Sequence, residues 1–273
     1  MKRVLYILLA VLPLVSCVKQ DRSDCPCYLL FSHGGFDAAG FDGNVQVDVF
    51  DGPAYQDGGS HSVSELIEDE PDIEVRRGLM DVCCIGGIDR MYREVDTRLL
   101  ITKGEQCDAV YAFCDFLVDT NRERAQVNGT LNKQFAVINV TLVMPEPDVR
   151  HILRYTGNSV GFDVRSLKPV GGEFRYLSYG SDDDKYSVRI PRQLDNSLFV
   201  EIFRETVIGV PSEIEGFEKV SSINIGRFIT DGLGYDWSAE SLSDIDIVID
   251  YVGCTVSVKI KDWNVVRLFT IEI

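Results

Sequence analysis

Apolar and polar side chains alternate with a period of two along most of this 273-residue chain. The clearest runs are residues 45–50 and 255–260, in which every second side chain is apolar. A period of two puts successive side chains on opposite faces of an extended strand, whereas an amphipathic helix needs a period near 3.6. The pattern therefore predicts an all-β protein.

Turn residues divide the chain into short β segments with little room for helices. Ser62 and Glu65 have the spacing of a capping box, which supports a helical turn or two. Pro145 and Pro147 interrupt strand pairing and mark the best domain boundary. We expect two tandem β-sandwich domains, residues 25–147 and 148–273, built from strands at 28–31, 45–50, 73–75, 79–85, 99–101, 109–118, 135–144, 152–155, 160–164, 174–179, 186–190, 197–203, 223–229, 245–251, 254–260 and 265–273.

The first residues have the features of a bacterial lipoprotein signal. Lys2 and Arg3 precede an apolar run over 4–15, which is too short to span a bilayer comfortably. Residues 14–17, Leu-Val-Ser-Cys, fit a lipobox that ends in Cys17. We expect a signal peptide over 1–16, diacylglycerol and an N-acyl chain on Cys17, and a lipidated polar tether over 17–24. The alternative is an ordinary secretory signal that is cut elsewhere.

The residues after Cys17 predict where the lipoprotein resides. Position 18 is Val rather than the Asp that favours inner-membrane retention in some bacteria. Residues 19–21, Lys-Gln-Asp, resemble a charged tether used for surface export. We therefore expect a protein that is lipid-anchored in the cell outer membrane and faces outward.

Charge excludes some partners. The formal net charge is -16, and removal of Lys2 and Arg3 makes the mature chain more acidic still. Such a chain repels nucleic acid and anionic lipid headgroups. The acyl anchor must then hold the protein at the membrane without electrostatic help.

Seven cysteines remain besides Cys17, and an odd number leaves at least one free or paired between molecules. Adjacent Cys83 and Cys84 point to opposite faces of a strand and cannot clamp one metal ion together. A disulfide between Cys25 and Cys84 would pin the N-terminal segment to the strand at 79–85. The alternative is buried free cysteines that act as small apolar residues. We expect no metal site.

The sequence contains none of the common catalytic motifs. Its three histidines have no i,i+4 spacing, and there is no G-x-S-x-G, P-loop or dinucleotide fingerprint. We expect no enzyme and no catalytic residue. Phe36 and Phe41, in two glycine-rich loops, are expected to cap a sandwich rather than to surround a ligand. Trp237 and Trp263 are expected in the core, although an exposed tryptophan could bind a glycan.

Several stretches, taken in order, resemble the fimbrillin-associated anchor subunits of type V pili. The N-terminal ones are the lipobox Cys17, the Asp-Cys-Pro of 24–26 before the first strand, the strand and turn at 47–52, and the glycine-bounded strand at 78–87. The C-terminal ones are 235–237, 242–245, 249–251 and Trp263. The glycine-bounded strand has Cys84 and Ile85 where the family more often has an aromatic residue.

This resemblance implies two transthyretin-like β-sandwich domains in a lipoprotein that attaches a pilus to the outer membrane. Its partners would be pilin stalk subunits, contacted by β-strand addition. Stalk subunits of the family open a groove when a protease cuts behind an arginine and removes an N-terminal strand. Here a cut behind Arg22 would sever the protein from its lipid, so we expect Arg22 to stay unprocessed. An uncut subunit keeps its first strand and terminates the fibre.

The C-terminal strand is a candidate pilin contact. Period-two alternation puts one set of its side chains on each face, with Leu268, Thr270 and Glu272 on one and Phe269, Ile271 and Ile273 on the other. The alternative for this strand is an ordinary closing strand of the domain's own sheet. The alternative for the whole protein is a surface glycan-binding lipoprotein with β-sandwich domains.

Replacement of the lipobox cysteine tests the anchor. Cys17→Ala should abolish metabolic palmitate incorporation and release the protein from membranes, because a single sulfur carries the lipid. Labelling and membrane sedimentation of cells that express the variant measure both effects, with Cys254→Ala as the matched control. Continued sedimentation of the Cys17→Ala variant with vesicles would contradict the prediction.

Overall fold

The computed structural model describes residues 25–32, 34, 36, 40–69, 72–146, 149–180, 184–206, 213–261 and 266–270. The predicted signal peptide, Cys17 and the tether up to residue 24 lie outside this part of the chain. The described residues form an all-β fold, as predicted. None of their helices is long and apolar enough to cross a bilayer.

The N-terminal strands are β1 (Cys27–Phe31), β2 (Asn44–Asp51), β3 (Ala54–Ser62), β4 (Glu74–Val75), β5 (Leu79–Gly86), β6 (Tyr92–Val95), β7 (Arg98–Leu100), β8 (Tyr111–Asp119), β9 (Arg124–Val127) and β10 (Asn132–Lys133). The C-terminal strands are β11 (Phe135–Val143), β12 (His151–Asp163), β13 (Pro169–Tyr179), β14 (Lys185–Pro191), β15 (Phe199–Glu205), β16 (Phe217–Asn224), β17 (Ile245–Asp250), β18 (Thr255–Ile260) and β19 (Val266–Thr270).

These strands form four sheets. One N-terminal sheet has the order β4-β1-β9, and the other has the order β10-β8-β5-β2-β3. The C-terminal sheets have the orders β14-β11-β17-β18-β19 and β16-β15-β12-β7-β6, with β13 also paired to β12.

The central strand β5 of the sheet β10-β8-β5-β2-β3 is buried on both faces. Strand alternation puts Val82 and Cys84 of β5 in one apolar cluster with Leu29 of β1. Cys83 and Ile85 of the same strand join the other cluster, which also contains the cores of the C-terminal sheets. This explains the nearly continuous apolar run of β5, since a strand covered on both faces has no polar side.

Two buried carboxylates connect this sheet to the C-terminal half. Asp48 of β2 accepts from Tyr55 at 3.0 Å and forms an ion pair with Arg93 of β6 at 2.7 Å. Asp81 of β5 forms an ion pair with Arg165, in the turn between β12 and β13. Burial raises the pKa of the Asp48 carboxyl, and the Arg93 guanidinium opposes that rise. Removal of either arginine would leave a buried charge without its partner.

The sheets do not divide at the predicted boundary after residue 147. β11 lies before Pro145, yet it pairs with β14 and β17 of the C-terminal half. The hairpin of β6 and β7 also belongs to the C-terminal half, because β7 pairs with β12. The boundary at 147/148 is therefore wrong, and Pro145 belongs to the connection between β11 and β12 within that half.

Two strand predictions need correction. Segments 152–155 and 160–164 form one strand, β12, which is bulged near Gly157 and Gly161. A Cβ at Gly161 would collide with the carbonyl oxygen of Leu99, so the missing side chain permits the pairing with β7. The predicted strand at 223–229 ends at Asn224, and the chain continues as helical turns over Ile225–Arg227 and Phe228–Gly232.

Local hydrogen bonds explain where the short helical turns begin. The side chain of Asn224 accepts from the backbone N–H of Arg227 at 3.0 Å, which caps the first turn. The predicted capping box is confirmed, since Ser62 Oγ accepts from the N–H of Glu65 and Glu65 accepts from the N–H of Ser62. Helical turns over Glu65–Asp69 follow it.

The predicted disulfide between Cys25 and Cys84 is not the one that forms. Cys83 of β5 lies directly opposite Cys114 of β8, with their Cα atoms 4.0 Å apart, and these two residues are joined. Cys84 points to the other face and stays free and buried, while Cys25 stays free and exposed. The pairing of β5 with β8 therefore brings the two disulfide partners together. The spacing of the cysteines along the sequence does not reveal this pair.

The two loop phenylalanines close the N-terminal core, as predicted. Phe36 is buried with its ring edge-on to Phe31 and Phe113, at centroid distances of 6.1 and 5.8 Å. Phe41 packs against Tyr111 at 5.3 Å.

The cysteine assignment predicts a distinctive labelling pattern. Cys25 and Cys254 should react quickly with a thiol reagent, because they are exposed, and Cys27, Cys84 and Cys107 should react only after unfolding. Cys83 and Cys114 should need reduction as well. Mass spectrometry of the labelled native, unfolded and reduced protein tests this order.

Loss of the disulfide should also lower stability. The double variant Cys83→Ala/Cys114→Ala frees a loop with a sequence separation of 31. It should lose about 3–4 kcal/mol in the free energy of unfolding. Cys254→Ser is the matched control, and equal urea midpoints for the two variants would contradict the assignment.

Candidate subunit-contact site

The first strand lies inside the N-terminal sandwich with a neighbour on each side. β1 pairs antiparallel with β4 and parallel with β9. The backbone N–H of Tyr28 donates to the carbonyl of Glu123 at 2.9 Å, and that of Leu29 donates to Ile73 at 3.1 Å. β1 therefore fills a slot between two strands and is not an edge.

Side chains fix β1 in this slot. Cys27, Leu29 and Phe31 point into the apolar cluster beneath the sheet, and Leu29 is fully buried. Burial of one leucine side chain contributes roughly 1.5–3 kcal/mol. An empty slot would expose an apolar groove together with the unpaired backbone groups of β4 and β9, which is the kind of surface that accepts a strand from another chain.

Two strands of the C-terminal half leave a groove between them. Among the described residues, β19 pairs only with β18 and β16 pairs only with β15, so each ends a sheet. A groove of about 650 Å³ lies between these edges. Ile223, Phe228, Tyr251 and Phe269 supply its apolar and aromatic lining.

The described part of the C-terminal strand closes its own sheet. Phe269 turns inward and stacks on Phe228 at a centroid distance of 4.7 Å, whereas Leu268 is 70% exposed. This agrees with the predicted separation of faces for Leu268, Phe269 and Thr270. The rest of the predicted contact, Ile271, Glu272 and Ile273, lies outside the described residues. No strand in the described part of the chain pairs with the outer edge of β19, and such an edge can accept another strand.

Trp237 does not form an open platform for a sugar ring. It lies beside a cavity of about 700 Å³ but is only 7% exposed, with its ring edge-on to Tyr235 at 4.8 Å. Trp263 lies outside the described residues.

The wall of this cavity is held by a buried arginine. Arg192 donates to the carbonyls of Trp237, Ala239 and Glu240 at 2.6–2.8 Å and to the side chain of Gln134 at 2.8 Å. Burial lowers the pKa of its guanidinium. Because every nitrogen of Arg192 already donates within the protein, this residue acts as a clamp on the loop rather than as a ligand-binding cation.

The described residues include no cluster of metal ligands. No group of three His, Cys, Asp or Glu side chains among them could hold a metal ion. His151 is buried, and its burial lowers its pKa, which favours the neutral form. His61 contacts the carbonyl of Gly58 at 2.9 Å, and His33 lies outside the described residues.

Sequence comparison identifies no relative, since neither a family model nor a curated protein matches the chain. Solved structures do match it. The fimbrial anchor protein Mfa2 from Porphyromonas gingivalis has a TM-score of 0.57 and 13% identity, over 88% of this chain and 98% of its own. A candidate polysaccharide-binding protein from Bacteroides thetaiotaomicron has a TM-score of 0.57 and 12% identity, over 91% and 98%. A candidate adhesin from Bacteroides ovatus has a TM-score of 0.54 and 14% identity, over 90% and 96%.

These similarities extend over almost the whole of each chain, so the proteins are similar in their whole fold and not in one part of it. The resemblance seen in the sequence is thereby confirmed at the level of the fold. This chain has the all-β fold of the fimbrial anchor and adhesin-like proteins of these bacteria.

Proposed function

We propose that this protein is the lipid-anchored base subunit of a type V pilus and ends the fibre at the outer membrane. The observation that carries the proposal is the occupied slot of β1, whose two sides are both paired and whose apolar face is buried. The fold shared with a fimbrial anchor protein and the lipobox at Cys17 support it.

An occupied slot would end a fibre for a simple physical reason. A pilin strand that entered between β4 and β9 would first have to displace β1 and remove Leu29 from the core. Because β1 belongs to the same chain, its effective concentration at the slot exceeds that of a separate donor strand. The slot between β4 and β9 is therefore not vacant, and a pilin strand would not add there.

The pilin would instead meet the C-terminal half. A strand added along β19 could satisfy the free backbone groups of that edge and place alternate side chains against Phe228 and Phe269 in the neighbouring groove. Main-chain hydrogen bonds would supply affinity, and the aromatic lining would supply selectivity.

A glycan-binding role receives less support from the described residues. Flat sugar rings stack on exposed aromatic faces, and Trp237 is buried. The fold shared with a candidate polysaccharide-binding protein does not distinguish the two roles, because that likeness covers 91% of this chain and the likeness to the fimbrial anchor protein covers 88%.

The state of the N-terminus tests the base role. Protein isolated from piliated cells should begin at acylated Cys17 and retain Arg22, because a cut there would release the fibre. Intact-mass analysis of the membrane fraction measures this, and Arg22→Ala should be as well retained as the wild type. A mature N-terminus at Ser23 would overturn the proposal.

A charged substitution on β19 tests whether this edge strand contacts the pilin. Leu268→Lys should lower the capture of pili on cells about tenfold, which corresponds to 1.4 kcal/mol, because a lysine opposes strand pairing at an edge. Val252→Lys is the matched control, since Val252 is also well exposed but lies in the turn after β17. Shed pilin in the medium and pilin on cells are measured by immunoblot.

Deletion of residues 268–273 extends this test to the predicted contact as a whole. Loss of capture is expected, with a thermal melt to confirm that the shortened protein folds. Unchanged capture by both the deletion and the Leu268→Lys variant would remove the C-terminal strand from the contact.

A further inference from the structure

Three large apolar side chains are exposed to solvent at one end of the paired strands β5 and β8. Leu79 is 54% exposed, Phe116 is 55% exposed and Leu117 is 66% exposed. Leu79 opens β5, and its register partner Asp119 is only two residues from Leu117. The three residues therefore occupy one short stretch of two neighbouring strands, which we call the apolar tip.

The apolar tip is built on a β-bulge. Met80 pairs with Val118 and Val82 pairs with Asp115, so Phe116 and Leu117 both stand opposite Asp81. The backbone of Leu117 has a φ of 57°, in the left-handed region that leucine rarely adopts. Such a conformation persists only where surrounding contacts enforce it.

Those contacts come from beneath the bulge. The carboxylate of Asp81 accepts from the backbone N–H of Leu117 at 3.1 Å and forms an ion pair with Arg165. Arg165 also donates to the carbonyl of Gly52 at 2.8 Å. A buried ionic network thus holds two large apolar side chains outward, in a conformation that costs free energy.

The apolar tip lies near Cys25, the first residue that the structure describes. Arg77, two residues before Leu79, donates to the carbonyl of Cys25 at 2.9 Å and to that of Asn121 at 2.7 Å. Cys17 lies eight residues before Cys25, a span of at most about 29 Å when fully extended. Acyl chains on Cys17 would keep this end of the protein close to the bilayer.

Charge at the apolar tip does not oppose a membrane. Two carboxylates beside the tip are each paired with an arginine, Asp81 with Arg165 and Asp119 with Arg122 at 2.9 Å. A third, Asp115, accepts from the backbone N–H of Asn128 at 2.7 Å. The tip thus differs from the chain as a whole, which has a formal net charge of -16 and would be repelled by anionic headgroups.

We infer that Leu79, Phe116 and Leu117 insert into the interfacial layer of the bilayer beside the acyl chains and fix the orientation of the protein on the membrane. This inference rests on the lipid anchor of the proposed function. Three side chains are too few to recruit the protein alone, but a tether converts their insertion into an intramolecular step at high effective concentration. The C-terminal edge strands then keep a defined direction for the fibre.

A fluorescent reporter at the apolar tip tests the insertion. Acylated Phe116→Trp protein is placed in phosphatidylcholine–phosphatidylglycerol vesicles with brominated acyl chains, and the signal of the acylated wild type is subtracted. We expect the added indole to be quenched at least threefold more strongly than the indole of the matched variant Tyr179→Trp. Tyr179 is 65% exposed and pairs with Ile152, roughly 35 Å along the β12–β13 ribbon from the turn that holds Arg165.

A second variant links the quenching to the tip. The double variant Phe116→Trp/Leu79→Asp should lose this quenching and keep its thermal midpoint, because residue 79 is exposed. Equal quenching at positions 116 and 179 would overturn the inference. Protection of the position 116 indole from aqueous acrylamide without bromine quenching would also overturn it, since a protein would then cover the tip.

The experiments distinguish failure of the lipid-anchor proposal from failure of the tip-insertion inference. Absence of palmitate on Cys17 in cells would remove the anchor and with it the proposed function. Verified acylation without selective quenching at position 116 would leave the anchor intact and remove only the inserted tip.

Discussion

Burial of both faces of one sheet governs the architecture of this protein. The strands β2, β5 and β8 separate two apolar clusters, one shared with β1 and the other shared with the C-terminal half. Two buried carboxylates on the second face are each paired with an arginine, Asp48 with Arg93 and Asp81 with Arg165. The N-terminal sheet and the C-terminal half therefore share one continuous core.

This arrangement connects the two regions proposed to act in the pilus. The slot of β1 depends on the first face of the central sheet, because Leu29 shares one apolar cluster there with Val82 and Cys84. The bulge at Leu117 depends on the second face, where Asp81 is held by Arg165 of the other half.

Much of the secondary structure followed from side-chain alternation, but particular segments did not. β3 was missed because its sequence, Ala54–Ser62, is polar and contains two adjacent glycines, and it forms a strand through its pairing with β2. The strand predicted over 223–229 lies too far toward the C-terminus. Ile223, Ile225 and Ile229 have the spacing of one face of a strand, but the Asn224 side chain caps helical turns there.

The candidate site was accessible to sequence reasoning only in part. Leu268 and Phe269 have the expected opposite exposures, since alternation alone assigns the faces of a strand. The groove beside them also needs Ile223 and Tyr251, which are distant in sequence and meet only when β16 and β19 end neighbouring sheets. The sequence around Leu117 does not indicate that this side chain is exposed, because its exposure results from a register shift in the pairing of β5 with β8.

The sequence by itself determined the strand-rich class and the side-chain faces of single strands, because each depends on residues close together along the chain. Tertiary structure alone decided that Cys83 joins Cys114, that β11 and the β6–β7 hairpin belong to the C-terminal half, and that β1 is enclosed between β4 and β9. These features are pairings between distant strands. Local periodicity fixes which face of a strand is apolar, but only the packing of the whole core selects its neighbours.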